Sequence, residues 1–361
     1  MCVKLIIGGS MKDIRFVQYG CGKMSEYTMR YAIENGMTLV GAYDINPEIV
    51  GKDASVVTKG EYLGVSIKNA SLVEEDLSIL KPDICIVTTM SLLNDCKDIL
   101  LICARLGINA ITTCEEAFYP MNSNPVLTNE IDTLAKENNC TITGSGYQDA
   151  FWGNLISTLC GATHNITKIK GSSSYNVEDY GIALAKAHGA GLSVSDFEKS
   201  VASADNISEE ERLELINKGE FLPSYMWNVN GWLLDKLGLT LKSQVQKCVP
   251  KIAEEDIFSS TLGMTVKKGE CTGMSAVVTT ETMEGITLET ECIGKVYSSS
   301  DYDSNEWTIY GDADTTMIIN RPCTVELTCA SIVNRIPDVL NSEPGYVPTS
   351  RMGELKNLRK N

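Results

Sequence analysis

From residue 12 onward, short apolar runs alternate with segments of helical period, and that rhythm constrains the chain more than any other feature. Strands that lie parallel need long crossovers between them, and helices of a dozen residues supply those crossovers. The runs at 14–19, 39–43, 65–67, 84–89, 108–113 and 140–143 therefore predict six strands of a doubly wound α/β sheet, the third of them weak. Gly36 and Gly107 each follow a helical segment, where a left-handed residue ends a helix. Asn124 with Pro125 reads as the cap and first turn of the next helix.

Beyond Gly144 the rhythm changes. Residues 155–162 read as a helix, 166–177 as a strand, 194–218 as a polar, acidic helical stretch and 226–237 as a further helix. From 249 to 319 apolar and polar residues alternate with β-branched enrichment, the pattern of antiparallel strands. An apolar helix over 325–340 is expected to pack back on the body. The boundaries that follow are 11–148 for the parallel-sheet domain, 149–324 for a second α+β domain with a mixed or antiparallel sheet, and 325–361 for a C-terminal helix and tail. Residues 1–10 precede the strand pattern and read as an extension or a misassigned start.

Charge narrows the partners. With 31 Lys and Arg against 47 Asp and Glu, the chain carries a formal −16, which disfavours nucleic acid and anionic membranes and is compatible with a small cationic substrate. Thirteen scattered cysteines with no CxxC pair argue against a zinc site or a disulfide framework and suit a reducing cytoplasm. Only His164 and His188 are present, so no His-rich metal centre is expected. No apolar run approaches the ~20 residues that span a bilayer.

The stretch Tyr19-Gly20-Cys21-Gly22-Lys23-Met24-Ser25 follows the first strand and opens the first helix, the context of a dinucleotide fingerprint. Gly20 permits the tight turn, and Gly22 lets the backbones of Cys21, Lys23 and Met24 approach a pyrophosphate at the helix N-terminus. Ser25 replaces the third glycine and is small enough for close helix packing. Asp44 closes the second strand, where a carboxylate can accept ribose hydroxyls, so the expected cofactor is NAD, with NADP possible. Thr88 and Thr89 end the fourth strand and border the same crevice.

Two adjacent carboxylates, Glu115 and Glu116, are expected to end the fifth strand, with one of them facing the nicotinamide end of the cleft. Burying a carboxylate is costly unless it is paired, hydrogen-bonded or protonated, so the pair is either a helix cap or chemistry. Ligands of such sheets lie outside the carboxyl ends of the strands. A carboxylate there acts as a general base, and a second one nearby raises its pKa.

These motifs, together with Gly-Ser-Gly-Tyr-Gln-Asp at 144–149, His-Gly-Ala-Gly-Leu-Ser at 188–193 and Ile-Val-Asn-Arg-Ile-Pro-Asp-Val at 332–339, resemble the 2,4-diaminopentanoate dehydrogenases and related native amine dehydrogenases. The resemblance covers nearly all of the chain after Met11. It implies a Rossmann domain on a dihydrodipicolinate-reductase-like architecture, a homodimer, and oxidative deamination with NAD(P). The diaminopentanoate members act in ornithine degradation, giving 2-amino-4-oxopentanoate and ammonia.

For that reaction Glu116 is expected to activate the water, with Glu115 shaping the site or sharing the role. A substrate with two ammonium groups and one carboxylate calls for anions and a donor. Asp149, Glu178 and Asp179 are the expected ammonium ligands, Asp149 first, and His188 the donor to the carboxylate. Arg335 reads as a fold or interface contact. Rival readings are a dehydrogenase for another amine, a sugar or an alcohol, and a noncatalytic NAD sensor. Glu116 stands where sugar dehydrogenases of similar architecture carry a lysine, and a sensor needs no acid at the strand end.

Overall fold

The computed structural model describes residues 14–358. The reading of residues 1–10 as an extension lies outside them. The chain divides into two compact units, the first comprising residues up to Leu155, Asn217–Glu220 and Cys323 onward, the second Ile156–Ile216 and Phe221–Pro322. No helix among the described residues is long and apolar enough to cross a membrane.

In chain order the first unit begins β1 (Arg15–Tyr19), α1 (Lys23–Glu34), β2 (Thr38–Asp44), α2 (Ser55–Thr58), β3 (Ile67–Asn69), α3 (Val73–Leu80) and β4 (Ile84–Val87). It continues with α4 (Leu93–Leu106), β5 (Asn109–Thr112), α5 (Pro125–Glu137) and β6 (Thr141–Gly144). The second unit holds α6 (Leu155–Gly161), β7 (His164–Asn176), α7 (Ile182–Ala187), α8 (Val194–Ser200), α9 (Glu209–Lys218) and α10 (Tyr225–Leu237). Its strands β8 (Leu241–Ile252), β9 (Ile257–Ser259), β10 (Met264–Val266), β11 (Cys271–Thr282), β12 (Thr287–Lys295), β13 (Ser304–Asp312) and β14 (Thr315–Asn320) follow. The chain then returns to the first unit as α11 (Thr324–Asn341) and β15 (Gly345–Tyr346).

The first sheet runs β15-β6-β5-β4-β1-β2-β3 with parallel pairing throughout. Its strands are buried on both faces, and successive residues enter opposite cores because side chains alternate. Phe16, Ile84, Ile86 and Ile111 meet Met29 of α1 and Ile332, Val333, Ile336 and Val339 of α11. Val17, Cys85, Val87 and Ala110 meet Leu93, Ile99 and Leu100 of α4 and Ile131 of α5. The C-terminal helix thus closes one face of the parallel sheet. The seventh strand, β15, is too short for any sequence pattern to announce it.

Asn124 sits where the cap was expected, but its side chain makes no capping bond. Its amide instead donates to the Asn94 Oδ1 at 3.1 Å. In the second unit the sheet order is β14-β13-β7-β12-β11-β8, antiparallel except for the parallel β12–β7 pair.

Candidate active site

Strand order reverses at β1, which lies between β4 and β2, so the crevice outside the carboxyl ends of β1 and β4 is the switch point of this sheet. The β1–α1 turn opens onto it. Gly20 has φ +84°, and a Cβ there would stand 2.6 Å from the Thr88 carbonyl oxygen and 2.7 Å from Thr89 Cγ2. Only glycine fits both demands. Gly22 has no atom within 4 Å of where its Cβ would be, so the loop leaves a backbone-lined space before the first turn of α1. That is the cradle a pyrophosphate requires.

The loop is braced from beneath by side chains. The Gln18 amide, fully buried, donates to the Gly20 carbonyl at 2.9 Å and to Thr88 Oγ1 at 2.8 Å, and accepts from Thr28 Oγ1 at 2.8 Å. Thr88 Oγ1 also donates to the Gly20 carbonyl. Thr88 therefore holds the loop, whereas Thr89 is exposed on the crevice. Ser25, at the third glycine position, donates to the Gly22 carbonyl at 2.6 Å. Cys21 lines the turn with its backbone; its thiol points inward, and burial pushes it up to about 12. Asp44 is half-buried at the end of β2 and accepts from the Cys21 amide at 2.5 Å and the Asn46 amide at 2.7 Å. The carboxylate is thus tied to the loop. Lys23 and Met24 form the first turn of α1. Gln18 was not singled out in the sequence, although an amide inside an apolar strand was a signal.

Glu115 and Glu116 lie beyond β5 rather than at its end. The Cys114 amide donates to Thr112 Oγ1 at 3.0 Å, and the chain turns away from the sheet into a 3-10 turn over Glu116–Phe118. That turn rests on β6 because residue 144 is glycine, where a Cβ would collide with the Ala117 backbone. The Tyr346 hydroxyl of β15 donates to the Ala117 carbonyl and clamps it.

The two carboxylates face different surroundings. Glu116 is 4% exposed; one oxygen accepts from the Leu93 amide at 2.7 Å and the other from Ser123 Oγ at 2.7 Å. It caps the N-terminus of α4, where a carboxylate is stabilised by unpaired amides. Burial pushes its carboxyl above the usual range, and the Ser123 and Leu93 bonds oppose that. Glu115 keeps part of its surface accessible while protein atoms surround its carboxyl. Burial raises its pKa, against a hydrogen bond from Ser91. The cap reading thus finds its residue in Glu116.

Asp149 is not a substrate ligand, contrary to expectation. It is fully buried, its Oδ2 taking Arg335 Nε at 2.7 Å and Ser145 Oγ at 2.8 Å, its Oδ1 taking Asn154 Nδ2 at 2.7 Å and Arg335 Nη2 at 3.1 Å. No acceptor capacity faces solvent. Arg335, in α11, also binds Asp338 and the Gly353 carbonyl, so the pair ties the segment after β6 to the returning helix.

In the second unit Glu178 and Asp179 fall in the turn after β7. Glu178 Oε1 accepts from Ser259 Oγ at 2.7 Å and the Thr261 amide at 3.1 Å, which fixes a loop. Asp179 is exposed and borders a cleft of about 280 Å³ with Asn176, Tyr297, Tyr302, Asp303 and Arg321. Of the expected ammonium ligands it alone is exposed. His188 Nδ1 donates to the Leu184 carbonyl at 2.9 Å, which leaves Nε2 to accept from the Tyr175 hydroxyl at 2.8 Å. Burial lowers its pKa. With both ring nitrogens engaged, His188 is a fold contact and not the carboxylate donor that was expected.

No family model matches the chain. It is similar to 2,4-diaminopentanoate dehydrogenase of Acetoanaerobium sticklandii, 24% identical over 351 residues that cover 86% of this chain and 90% of that protein. Among solved structures it resembles an amine dehydrogenase from Mycobacterium smegmatis, with a TM-score of 0.80 and 36% identity over 95% of this chain and 97% of that one. A probable dehydrogenase from Thermotoga maritima shares the fold at 11% identity, with a TM-score of 0.57 over 93% of this chain and 92% of that one.

Proposed function

Because the chain belongs to the amine dehydrogenase family, we propose that it oxidatively deaminates 2,4-diaminopentanoate with NAD(P), giving 2-amino-4-oxopentanoate, ammonia and NAD(P)H. The substrate follows the curated relative, and the place of the reaction is ornithine degradation. The cofactor is held by the Gly20–Met24 turn, with Thr89 on the crevice wall and Asp44 at the ribose. The Gly22 cradle is the observation that fits it. When bound there, NAD(P) would supply the hydride acceptor for C4.

What remains for the chain is to handle a proton and a water. Loss of hydride from C4 leaves an iminium, and hydrolysis requires a water deprotonated beside it. Glu115 is the base in this reading, and Glu116 holds α4 and the turn in place. The single observation that carries it is the contrast in hydrogen bonding: the Leu93 amide and Ser123 Oγ engage both oxygens of the buried Glu116, and neither bonds the half-buried Glu115. A base of raised pKa accepts a proton near neutral pH and releases it again. Within the second unit, Asp179 is the carboxylate left exposed for an ammonium group.

The free thiols suit a reducing compartment, and we place the enzyme in the cytoplasm as a homodimer. The experiment is NADH formation against a panel of diamines, amino acids and sugars. Turnover confined to amines, fastest with 2,4-diaminopentanoate, is the expected result. Turnover of sugars alone, or none with any substrate, rejects the reading.

A further inference from the structure

The cleft that Asp179 borders lies wholly within the second unit, and its volume of about 280 Å³ is at the small end of ligand pockets. Three segments meet there: Asn176 and Asp179 from the end of β7 and the turn after it, Tyr297, Tyr302 and Asp303 between β12 and β13, and Arg321 just past β14. One cation and two anions therefore share a small space. The Arg321 guanidinium lies over the Tyr302 ring, its Cζ 4.9 Å from the centroid, and makes no ion pair among the described residues. Asp179 is exposed, and its carboxylate takes no hydrogen bond among the described residues.

Asp303 is the fixed member of the set. Its Oδ1 accepts from the Tyr297 hydroxyl at 3.0 Å and from the Asn176 amide at 3.3 Å, which leaves Oδ2 open. Its carbonyl accepts from the Arg321 amide at 2.8 Å, so the cation and this anion are held on adjacent backbone. Asp301, close by in sequence, is already neutralised by Lys295 at 2.8 Å.

We propose that this cleft is a binding site for an α-amino acid that carries a second ammonium group. The ligand carboxylate takes the Arg321 guanidinium, whose planar fork donates two parallel N–H bonds. Its two ammonium groups take Asp179 and Asp303 Oδ2. Two carboxylates and one guanidinium give the cleft one net negative charge, and the ligand brings one net positive charge. A simple amino acid leaves one carboxylate unpaired, and a diamine leaves Arg321 unpaired; those unpaired charges set the specificity. The Tyr302 ring holds Arg321 in place before the ligand arrives, which lowers the ordering cost of binding. The proposal extends the ammonium role given to Asp179 above and needs no step of the deamination.

The full-length protein, without cofactor, is titrated calorimetrically with L-ornithine, with L-norvaline, which lacks the second ammonium, and with 1,4-diaminobutane, which lacks the carboxylate. Ornithine is expected to bind more tightly than either by about tenfold or more, the loss of one charge-assisted contact. Arg321→Gln and Asp179→Asn each weaken ornithine by a similar factor at unchanged melting temperature, and Arg321→Lys, which keeps the charge, weakens it less than Arg321→Gln. Absence of ornithine binding, equal affinity for the three probes, or ornithine binding that Arg321→Gln and Asp179→Asn leave unchanged overturns the proposal. Should Arg321→Gln fail to fold, Asp179→Asn, Arg321→Lys and the three probes decide. A protein that binds ornithine in this pattern and turns over no amine keeps the cleft and rejects the deamination; one that turns over amines and fails the titration does the reverse.

Discussion

Replacing Glu115 and Glu116 by Gln, one at a time, separates chemistry from capping. Glu115→Gln keeps the size of the side chain and removes the base, so turnover should fall about 10²- to 10⁴-fold, roughly 3–5 kcal/mol of barrier. Its melting temperature should hold or rise, because the substitution removes a desolvated charge. Glu116→Gln should do the reverse. One amide oxygen can still accept from Leu93 or Ser123, but one charge-assisted bond is lost, about 1.5–3 kcal/mol of stability. Its turnover at a temperature where it stays folded should be near normal. NADH absorbance gives the first quantity and thermal unfolding the second. The pH profile adds a sign: Glu115 works deprotonated and its pKa is raised, so turnover falls with pH along a limb above the ~4.3 of an unperturbed glutamate. Glu115→Gln should lose that limb. If Glu116→Gln instead loses turnover at unchanged melting temperature while Glu115→Gln is active, Glu116 is the base, and occupancy of its oxygens is no guide to its role.

Gly22→Ala should fold normally, since its Cβ meets nothing, yet weaken NADH by about tenfold or more, roughly 1.4 kcal/mol, because the methyl fills the cradle; calorimetric titration that finds unchanged affinity would place the cofactor elsewhere. Asp44 should make NAD the preferred cofactor, and Asp44→Ser should narrow the gap between the two specificity constants; a wild-type preference for NADP would mean this carboxylate does not face the ribose. Asp149→Asn takes the bidentate carboxylate from the buried Arg335, which keeps Asp338 and the Gly353 carbonyl, and should cost about 3 kcal/mol in denaturant unfolding, with the Michaelis constant for the diamino acid unchanged.

The sequence by itself determined the parallel sheet, because period-2 and period-3.6 patterns are local and the glycines that end helices or permit a positive φ are visible one at a time. It also determined the Gly20–Gly22 turn, whose demands are backbone conformation and close approach at fixed spacing after a strand. What only tertiary structure decided is which polar side chain meets which. Glu115 and Glu116 are identical in composition and adjacent in sequence, yet one caps α4 and the other does not, a difference set by Ser123 and Leu93 arriving from separate segments. Asp149 looked like a ligand because its partner, Arg335, lies 186 residues away on a helix that returns to the first unit. His188 is consumed by Tyr175 and Leu184 for the same reason. A carboxylate or an imidazole is functional or structural according to whether its hydrogen bonds are already made, and those partners come from distant parts of the chain.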